Sequence, residues 1–463
     1  MNSRAVSPVL TRLEILKLDS QGDGIARNAS GKVVFVPGSL PGETVLASNV
    51  TEKRDYATAR LVEVEKRAPE RVLPFCPLAD KCGGCQLQHA SYPLQLHLKK
   101  QIIEDAFSRI ARIEASEGIS FVTPSPLLAG YRNKVSLPVS ASLGGRGMDI
   151  GYYRKGSHRI VNVEKCPVAW DELNALLREV RSGLPRTGLA PYDEKKRQGD
   201  LRHIVLRGGQ ESGEVMAVLV VRRFPEPEVT RGLVSLARRI RKRHPLFSGL
   251  VLNLNSGEGN AIFGETSRAL SGRIHFTERY GALSFKFEAT SFSQINTLQA
   301  VNLYTAASEE ACPNGDEKVL ELYSGVGTLT CFLASRSRQV IAMEEWSPSV
   351  KCLRENLAMN GFPNTEVREG AAEASKFSGC EGIDSAVVDP PRSGCHPAVL
   401  ESLVNLEPKR IVYVSCNPST LARDAAILCE NRQYRLRKVI PFDLFPQTRH
   451  VEALAVFERG NSP

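Results

Sequence analysis

Lys318-Val-Leu-Glu-Leu-Tyr-Ser-Gly-Val-Gly-Thr-Leu-Thr330 is the stretch that decides the fold of this chain. A short apolar run comes first, Gly325 and Gly327 break it, and a helical pattern follows. The two glycines let the backbone turn tightly and bring a ligand close to the start of a helix. From about residue 315 the same alternation recurs. Lys318–Leu322, Val340–Met343, Ser385–Val388 and Arg410–Val414 read as strands with helical patterns between them. That alternation predicts a parallel sheet with helices on both faces.

Upstream the pattern changes. Leu10–Leu18, Val33–Val36, Glu43–Val50 and Ala57–Val64 read as short strands, with turn signals at Gly22-Asp23-Gly24 and Pro41-Gly42. So many short strands in so little chain suit a small OB-type barrel. Lys66–Pro74 reads as a linker. A helix is expected from about Leu94 to Ile113, with Leu94, Leu98, Ile102, Ala106 and Ile110 on one face. Between 130 and 290, β-patterned runs such as Lys134–Val139, His203–Leu206, Val215–Val221 and Leu250–Leu254 alternate with turns.

At roughly 100–200 residues per domain, 463 residues make two to four domains. A composition 42% hydrophobic and 24% charged excludes wholesale disorder. No apolar run is long enough for a membrane span, and the N-terminus has no secretory core, so a cytoplasmic protein is expected. Its eleven cysteines are odd in number and scattered, which suits thiols, metal ligands or catalysts better than disulfides. The net charge is +9, and residues 181–245 hold 15 basic against 7 acidic residues. The densest run is Arg238, Arg239, Arg241, Lys242 and Arg243. A solvated helix face explains such a run by itself; with the features below, a phosphate-contacting surface is expected.

Cys76, Cys82 and Cys85 fall within ten residues around Gly83-Gly84, and Cys166-Pro167 offers a fourth thiol. Four thiolates can hold a [4Fe–4S] cluster or a structural zinc, and His89 is a further zinc ligand in reach. The spacing favours iron–sulfur, because only one C-x2-C is present. In the glycine loop the third glycine of a dinucleotide fingerprint is missing, which favours S-adenosylmethionine over NAD or FAD. Glu344, ending the second strand, is placed to accept from ribose hydroxyls, with Glu345 its neighbouring rival.

Asp389-Pro-Pro-Arg-Ser-Gly394 follows a strand, a pattern that suits methylation of a planar nucleobase; a rigid turn is the plainer alternative. Arg392 stands where enzymes of exocyclic amines carry an aromatic. Cys416, in Ser415-Cys-Asn-Pro418, ends another strand just before a helix, whose N-terminus is expected to lower the thiol's pKa. A thiolate adding to C6 of uracil makes C5 a nucleophile, and a base must then take the C5 proton. Glu452 is the base proposed for that step.

Two long motifs give the chain its resemblance. Asp389-Pro-Pro-Arg-x-Gly394 with Ile411-Val-Tyr-x-Ser-Cys-Asn-x-x-Thr420 is one, and Phe442-Asp-x-Phe-Pro-Gln-Thr-x-His-Val-Glu452 is the other. Both resemble the RNA uracil-5-methyltransferase family. Gly22-x-Gly24-x-Ala26 and Gly31-Lys-Val-Val-Phe-Val-Pro-Gly-x-Leu-Pro-Gly-Glu43 resemble the TRAM domain, an OB-like RNA-binding module. The resemblance implies Cys416 as nucleophile and Glu452 as proton acceptor. It implies Gln294, Tyr323, Glu344 and Asp389 as contacts of S-adenosylmethionine, and Cys76, Cys82, Cys85 and Cys166 as [4Fe–4S] ligands, which lifts that reading above zinc. The fold it implies is an α/β class I (Rossmann-like) methyltransferase domain, an N-terminal OB-like barrel and a mixed α+β central domain carrying the cluster. The expected domains are 1–68, 69–92 with 125–288, and 93–124 with 289–463. A TRAM domain and a cysteine cluster together resemble the members that act on 23S rRNA. The expected protein is a monomer that binds 23S rRNA and no membrane. A tRNA substrate, a catalytically weak assembly factor and a cytosine-5-methyltransferase are the alternatives; the last lacks its usual Pro-Cys and Thr-Cys signatures.

Overall fold

The computed structural model describes residues 10–114, 118–142, 147–374, 377–430 and 433–460. Six strands build the N-terminal barrel: β1 (Thr11–Glu14), β2 (Lys17–Leu18), β3 (Asp23–Arg27), β4 (Val33–Pro37), β5 (Thr44–Glu52) and β6 (Tyr56–Lys66). They pair in the order β1-β5-β6-β4-β3-β2. Alternation makes the barrel's core: Val34 and Val36 point inward with Leu13, Ala26, Val45 and Ala57. Gly24, expected in a turn, lies inside β3, where a Cβ would stand 2.0 Å from Ser39 Oγ. The turn comes earlier, at Gly22 with φ +78°.

Lys66–Pro74 is not a free linker. Arg71 ion-pairs with the fully buried Glu43 side chain, donates from Nη2 to Gly38 O at 2.7 Å, and bridges to Ala90. The cysteine-bearing turns lead from there into α1 (Tyr92–Ala106), capped by the Ser91 hydroxyl and prolonged by a turn of π-helix over Phe107–Ala111.

The buried face of α1 differs from the expected one. Gln95, Leu98, Lys99, Ile103 and Ala106 are buried, while Ile110 is exposed. Leu98 packs with Leu18, Leu40 and Leu87 beside the barrel, and Ile103, Ala106 and Phe107 pack under the C-terminal sheet. The helix therefore ties one end of the chain to the other.

A seven-stranded central sheet follows: β7 (Lys134–Ala141), β8 (Met148–Tyr153), β9 (Ile160–Asn162), β10 (Leu201–Gly208), β11 (Val215–Val221), β12 (Phe247–Leu254) and β13 (Thr266–Gly272), in the order β13-β12-β11-β10-β7-β8-β9. Every residue of β11 is buried, because both faces of the sheet are covered. On one face lie α2 (Asp171–Gly183) and α3 (Pro227–Arg243), packed against Leu206, Ala217 and Leu219. The opposite face, with Val205, Met216 and Val218, packs on the hairpin β14 (His275–Tyr280)–β15 (Leu283–Glu288) and on the C-terminal region. The basic run 238–243 thus sits on the helix-covered outer face. Arg239 and Arg243 are pinned to Glu179 of α2, so only part of that charge is free for phosphates.

The C-terminal region runs α4 (Thr297–Ala311), β16 (Lys318–Leu322), α5 (Thr328–Ala334), β17 (Gln339–Glu344), α6 (Ser347–Asn360), β18 (Thr365–Glu369), β19 (Ser385–Val388), α7 (Pro397–Leu406), β20 (Arg410–Ser415), α8 (Pro418–Leu428), β21 (Tyr434–Phe442) and β22 (Glu452–Arg459). Its sheet has the order β18-β17-β16-β19-β20-β22-β21, with the first five strands parallel and β22 antiparallel to both neighbours. The parallel strands all end on one edge. An antiparallel strand begins where its parallel neighbours end, so β22 brings its first residue, Glu452, to that same edge.

Candidate active site

The register puts the two proposed catalytic residues side by side. Ser415 of β20 pairs with Ala453 of β22, so Cys416 and Glu452 follow as the next opposed residues. Cys416 feels the charges of Glu452, Asp389 and Arg392. Glu452 is buried and sits in the fields of Asp389 and Arg392. Four side chains from three strand ends therefore share one small volume at the carboxyl edge of the sheet, where open α/β sheets bind their ligands.

Burial and crowding of acids dominate the electrostatics. The Cys416 thiol is pushed up to about 11, first by burial and then by Glu452 and Asp389, with Arg392 opposing. The sequence led us to expect a lowered thiol. Helix α8 starts only at Pro418, and its N-terminal field is outweighed by desolvation and two neighbouring carboxyls. Burial pushes Asp389 to about 7. Glu452 is held well above the usual carboxylate range by burial, then by Asp389.

Arg392 was quoted in the sequence motif without a role, and it is the cation of this site. Its loop is tied to α8: Asn417 Nδ2 donates to Arg392 O at 3.0 Å, and Arg423 donates to Ser393 O and Cys395 O. Arg423 in turn pairs with the fully buried Asp424, which accepts from Tyr413 Oη at 2.7 Å and Cys395 N at 2.9 Å. Gly394, at φ +79°, fits because a Cβ would meet Arg423 and Asp424. Nothing in local sequence marks Arg423 or Asp424, since their partners in the loop and in β20 lie 11 to 30 residues upstream.

Beside this centre is the glycine loop. Glu344 accepts from Gly325 N and from Trp346 N, each at 2.9 Å. Its neighbour Glu345 is exposed, which separates the two rivals. Gly327, at φ +86°, could carry no side chain, because a Cβ would stand 2.2 Å from Leu353. Tyr323 takes a positive φ of 63°, and its hydroxyl donates to Glu373 at 3.2 Å. Glu321, used in the sequence only to count spacing, lies buried beneath the loop against Ser324 and Thr330, and burial lifts it to about 8. Gln294 is buried before α4, its carbonyl held by Asn133 Nδ2 at 2.8 Å, and its side chain reaches Tyr304, which also feels Asp389 and Glu452. The stretch before it is pinned by fully buried Arg207, which donates to Ala289 O, Ser291 O and Ser293 Oγ.

The loop leading to Glu452 is clamped by α1. Buried Lys99 donates to Asp443 and to Phe445 O, and Tyr92 Oη donates to Asp443 at 3.0 Å. Gln95 and Gln447 bond reciprocally, side chain to side chain at 3.0 Å and main-chain N–H to side chain at 2.9 Å. The sequence identified none of these partners.

Cys76, Cys82, Cys85 and Cys166 line one cavity together with Arg132 and Tyr152. All four are free and half-buried. Burial raises Cys76 and Cys82, and pushes Cys85 to about 11. Gly84 N donates to Cys82 Sγ at 3.4 Å, and a Cβ on Gly83 would press on Tyr153 O at 3.0 Å, so a glycine suits position 83 where this turn wraps. Among the described residues, no group of three or more His, Cys, Asp or Glu is disposed to hold a metal ion. His89 is absent from the wall of this cavity. The cysteine turn also reaches the Glu452 loop: Leu87 N donates to Gln447 O at 2.9 Å, and Tyr131 Oη to Pro446 O at 2.9 Å.

Comparison with known proteins follows the same division. Residues 273–459 match the tRNA (Uracil-5-)-methyltransferase family, and residues 11–62 match the TRAM domain. An RNA methyltransferase of Synechocystis sp. is 38% identical over 99% of this chain and 99% of its own length. One from Halalkalibacterium halodurans is 37% identical over 98% of this chain and 97% of its own. The crystal structure of Pyrococcus abyssi tRNA (uracil-54, C5)-methyltransferase with S-adenosyl-L-homocysteine superposes with a TM-score of 0.77 at 28% identity, covering 96% of this chain and all of that one.

Proposed function

The chain belongs to the RNA uracil-5-methyltransferase family, and we propose that it methylates C5 of a specific uridine in 23S rRNA through a covalent adduct of Cys416. Its methyl donor is S-adenosylmethionine, and no helix among the described residues is long and apolar enough to cross a membrane. What carries the proposal is the β20–β22 register, which sets a thiol opposite a buried carboxyl at the sheet edge beside the glycine loop.

Gln294, Tyr323, Glu344 and Asp389 hold the donor, which supplies an electrophilic methyl group. Cys416, its proton released to solvent so that Glu452 stays free to act as base, adds to C6 of an unstacked uracil, with Arg392 favouring the thiolate. The ring electrons move to C5, which takes the methyl group as the donor's sulfur–methyl bond breaks and the sulfur, now a neutral thioether, keeps the electron pair. Glu452, deprotonated, removes the C5 proton, the C6–S bond breaks and the thiolate leaves. The donor's sulfonium charge, brought beside Asp389 and Glu452, would favour their ionised forms and oppose the burial that raises both.

On this proposal the barrel (1–68) and the central domain (69–92 with 125–288) hold the RNA around the target. The methyltransferase domain (93–124 with 289–463) performs the chemistry. Cys76, Cys82, Cys85 and Cys166, which line one cavity, would be the ligands of a [4Fe–4S] cluster. Glu452→Gln is expected to permit addition and methylation and to trap the RNA–protein adduct, seen as a retarded band on a denaturing gel. Wild-type product release from that variant would show that another group is the base. A second substrate, tRNA, is favoured by the tRNA-modifying enzyme of P. abyssi. Mapping 5-methyluridine in rRNA and tRNA from a deletion strain decides between them.

A further inference from the structure

The reaction at Cys416 leaves Lys134 without a task. This lysine opens β7, where alternation sends Val135, Leu137 and Val139 to the helix-covered face of the central sheet. Lys134 and Ser136 therefore point to the other face. Their ladder partners in β10 are Arg207 and Val205. Val205 is fully buried against the hairpin and the C-terminal region, whereas Lys134 and Ser136 are only half-buried. The cover over this face thus thins out at β7, and two polar side chains line its margin.

Neither side chain has a partner. Among the described residues, the Lys134 ammonium makes no hydrogen bond or ion pair, and the Ser136 hydroxyl makes no hydrogen bond. Neither polar atom is sealed in the interior, so both are open to a ligand. The charge is one-sided. Burial, then the neighbouring cation Arg207, pulls the ammonium down to about 7, and no carboxylate opposes them. Arg207 itself is committed to Ala289 O, Ser291 O and Ser293 Oγ. An unpaired, half-buried ammonium beside a second cation is a site that gains from an anion, which offsets both desolvation and repulsion.

This margin adjoins the reaction centre. Asn133, the residue before Lys134, donates from its main-chain N to Ile295 O at 2.9 Å and from Nδ2 to Gln294 O at 2.8 Å. The Gln294 side chain reaches Tyr304, which feels Asp389 and Glu452. Phe292, between two of the residues that Arg207 holds, is 66% exposed, so this wall borders open space.

We propose that Lys134, with the Ser136 hydroxyl beside it, holds one backbone phosphate of the RNA next to the target uridine. A phosphate offers oxygens to both donors, and the bond from the ammonium is charge-assisted. Such a contact fixes the position of the strand and reads no base. The ligand class rests on the uridine-methylation proposal above. The donor's carboxylate is the other anion of that reaction, and the test separates the two.

The full chain is titrated with an oligouridylate of about 20 nucleotides over a series of salt concentrations. Each phosphate contact to a single strand adds about 0.7 to the steepness of log K against log salt. Lys134→Met is expected to lower the steepness by about that amount and to weaken binding about fivefold at about 0.1 M salt. Lys134→Gln takes its place if the methionine prevents folding. Lys134→Arg keeps the charge and Ser136→Ala removes none, so both are expected to keep the wild-type slope. S-adenosylhomocysteine is expected to bind Lys134→Met as it binds the wild type. An unchanged slope in Lys134→Met overturns the proposal, and so does an equal fall in Ser136→Ala. Weakened S-adenosylhomocysteine binding at an unchanged slope overturns it in favour of the donor's carboxylate. Methyl transfer to RNA by the wild-type preparation separates the two claims. A loss of slope in Lys134→Met without wild-type methyl transfer sinks the catalytic proposal alone. Wild-type methyl transfer with an unchanged slope in Lys134→Met sinks the phosphate site alone.

Discussion

Cys85 and Cys416 have thiols pushed up by burial to about the same value, about 11, in opposite surroundings. Around Cys85 the neighbours are other thiols and the guanidinium of Arg132. Around Cys416 they are two acids and one arginine. Burial alone makes neither thiol reactive. A ring of thiols becomes stable as thiolates when a metal centre supplies positive charge at its middle. A thiol among acids does so only when substrate and donor change the local charge. The pairing of neighbours, more than the shift itself, separates a ligand site from a nucleophile.

Exchanging cysteines tests that contrast most strongly. Cys416→Ala is expected to abolish methyl transfer, followed with a labelled donor, while iron content and RNA binding stay at wild-type levels. Cys82→Ala is expected to do the reverse: iron, measured by quantification and anaerobic absorbance, is lost, and residual methyl transfer persists. Methyl transfer at the wild-type rate by Cys416→Ala would overturn the assignment of the nucleophile. Iron retained in full by Cys82→Ala would remove the ligand assignment.

The next effect lies where the two regions meet. Lys99→Met leaves the buried Asp443 carboxyl without its cation and is expected to cost about 3–5 kcal/mol, read by denaturant unfolding. Because Lys99 holds the loop that ends at Glu452, the folded variant is also expected to release its RNA adduct slowly. Wild-type adduct decay would leave Lys99 a purely structural role.

The smallest effects are those of pH. Acids with raised pKa keep their protons longer, so methyl transfer should climb as pH rises through about 7, where Asp389 ionises. Stability runs the other way. Folded Asp389 titrates near 7 and unfolded Asp near 3.8, so the folded state binds more protons across that window and loses stability as pH rises through it. Asp389→Asn should flatten that part of the profile of Tm against pH. An unchanged profile would place the titration elsewhere.

Four of the seven strands of the C-terminal sheet were legible because their signal is local. Lys318–Leu322 and Ser385–Val388 come out with the same bounds in sequence and structure, as four-to-five-residue apolar runs ended by turns. The α1 face was misread for an equally physical reason. Periodicity scores Ile102 and Ile110 as core and Gln95 and Lys99 as surface, whereas tertiary partners 344 to 352 residues away bury the polar pair. The direction of the Cys416 shift was misread because a helix start is visible in sequence and the approach of two carboxyls is not.

By itself, the sequence determined four parallel strands of the C-terminal sheet and the glycine loop, and it marked the four thiols, Cys416 and Glu452 as candidates. Each depends on residue type and short-range spacing, which the chain carries along its length. Tertiary structure alone decided that β22 returns antiparallel and sets Glu452 opposite Cys416, that Arg392 faces both, and that the basic run of α3 lies on the outer face. Those outcomes depend on which buried surfaces meet across long stretches of chain, and packing between distant segments has no local period to read.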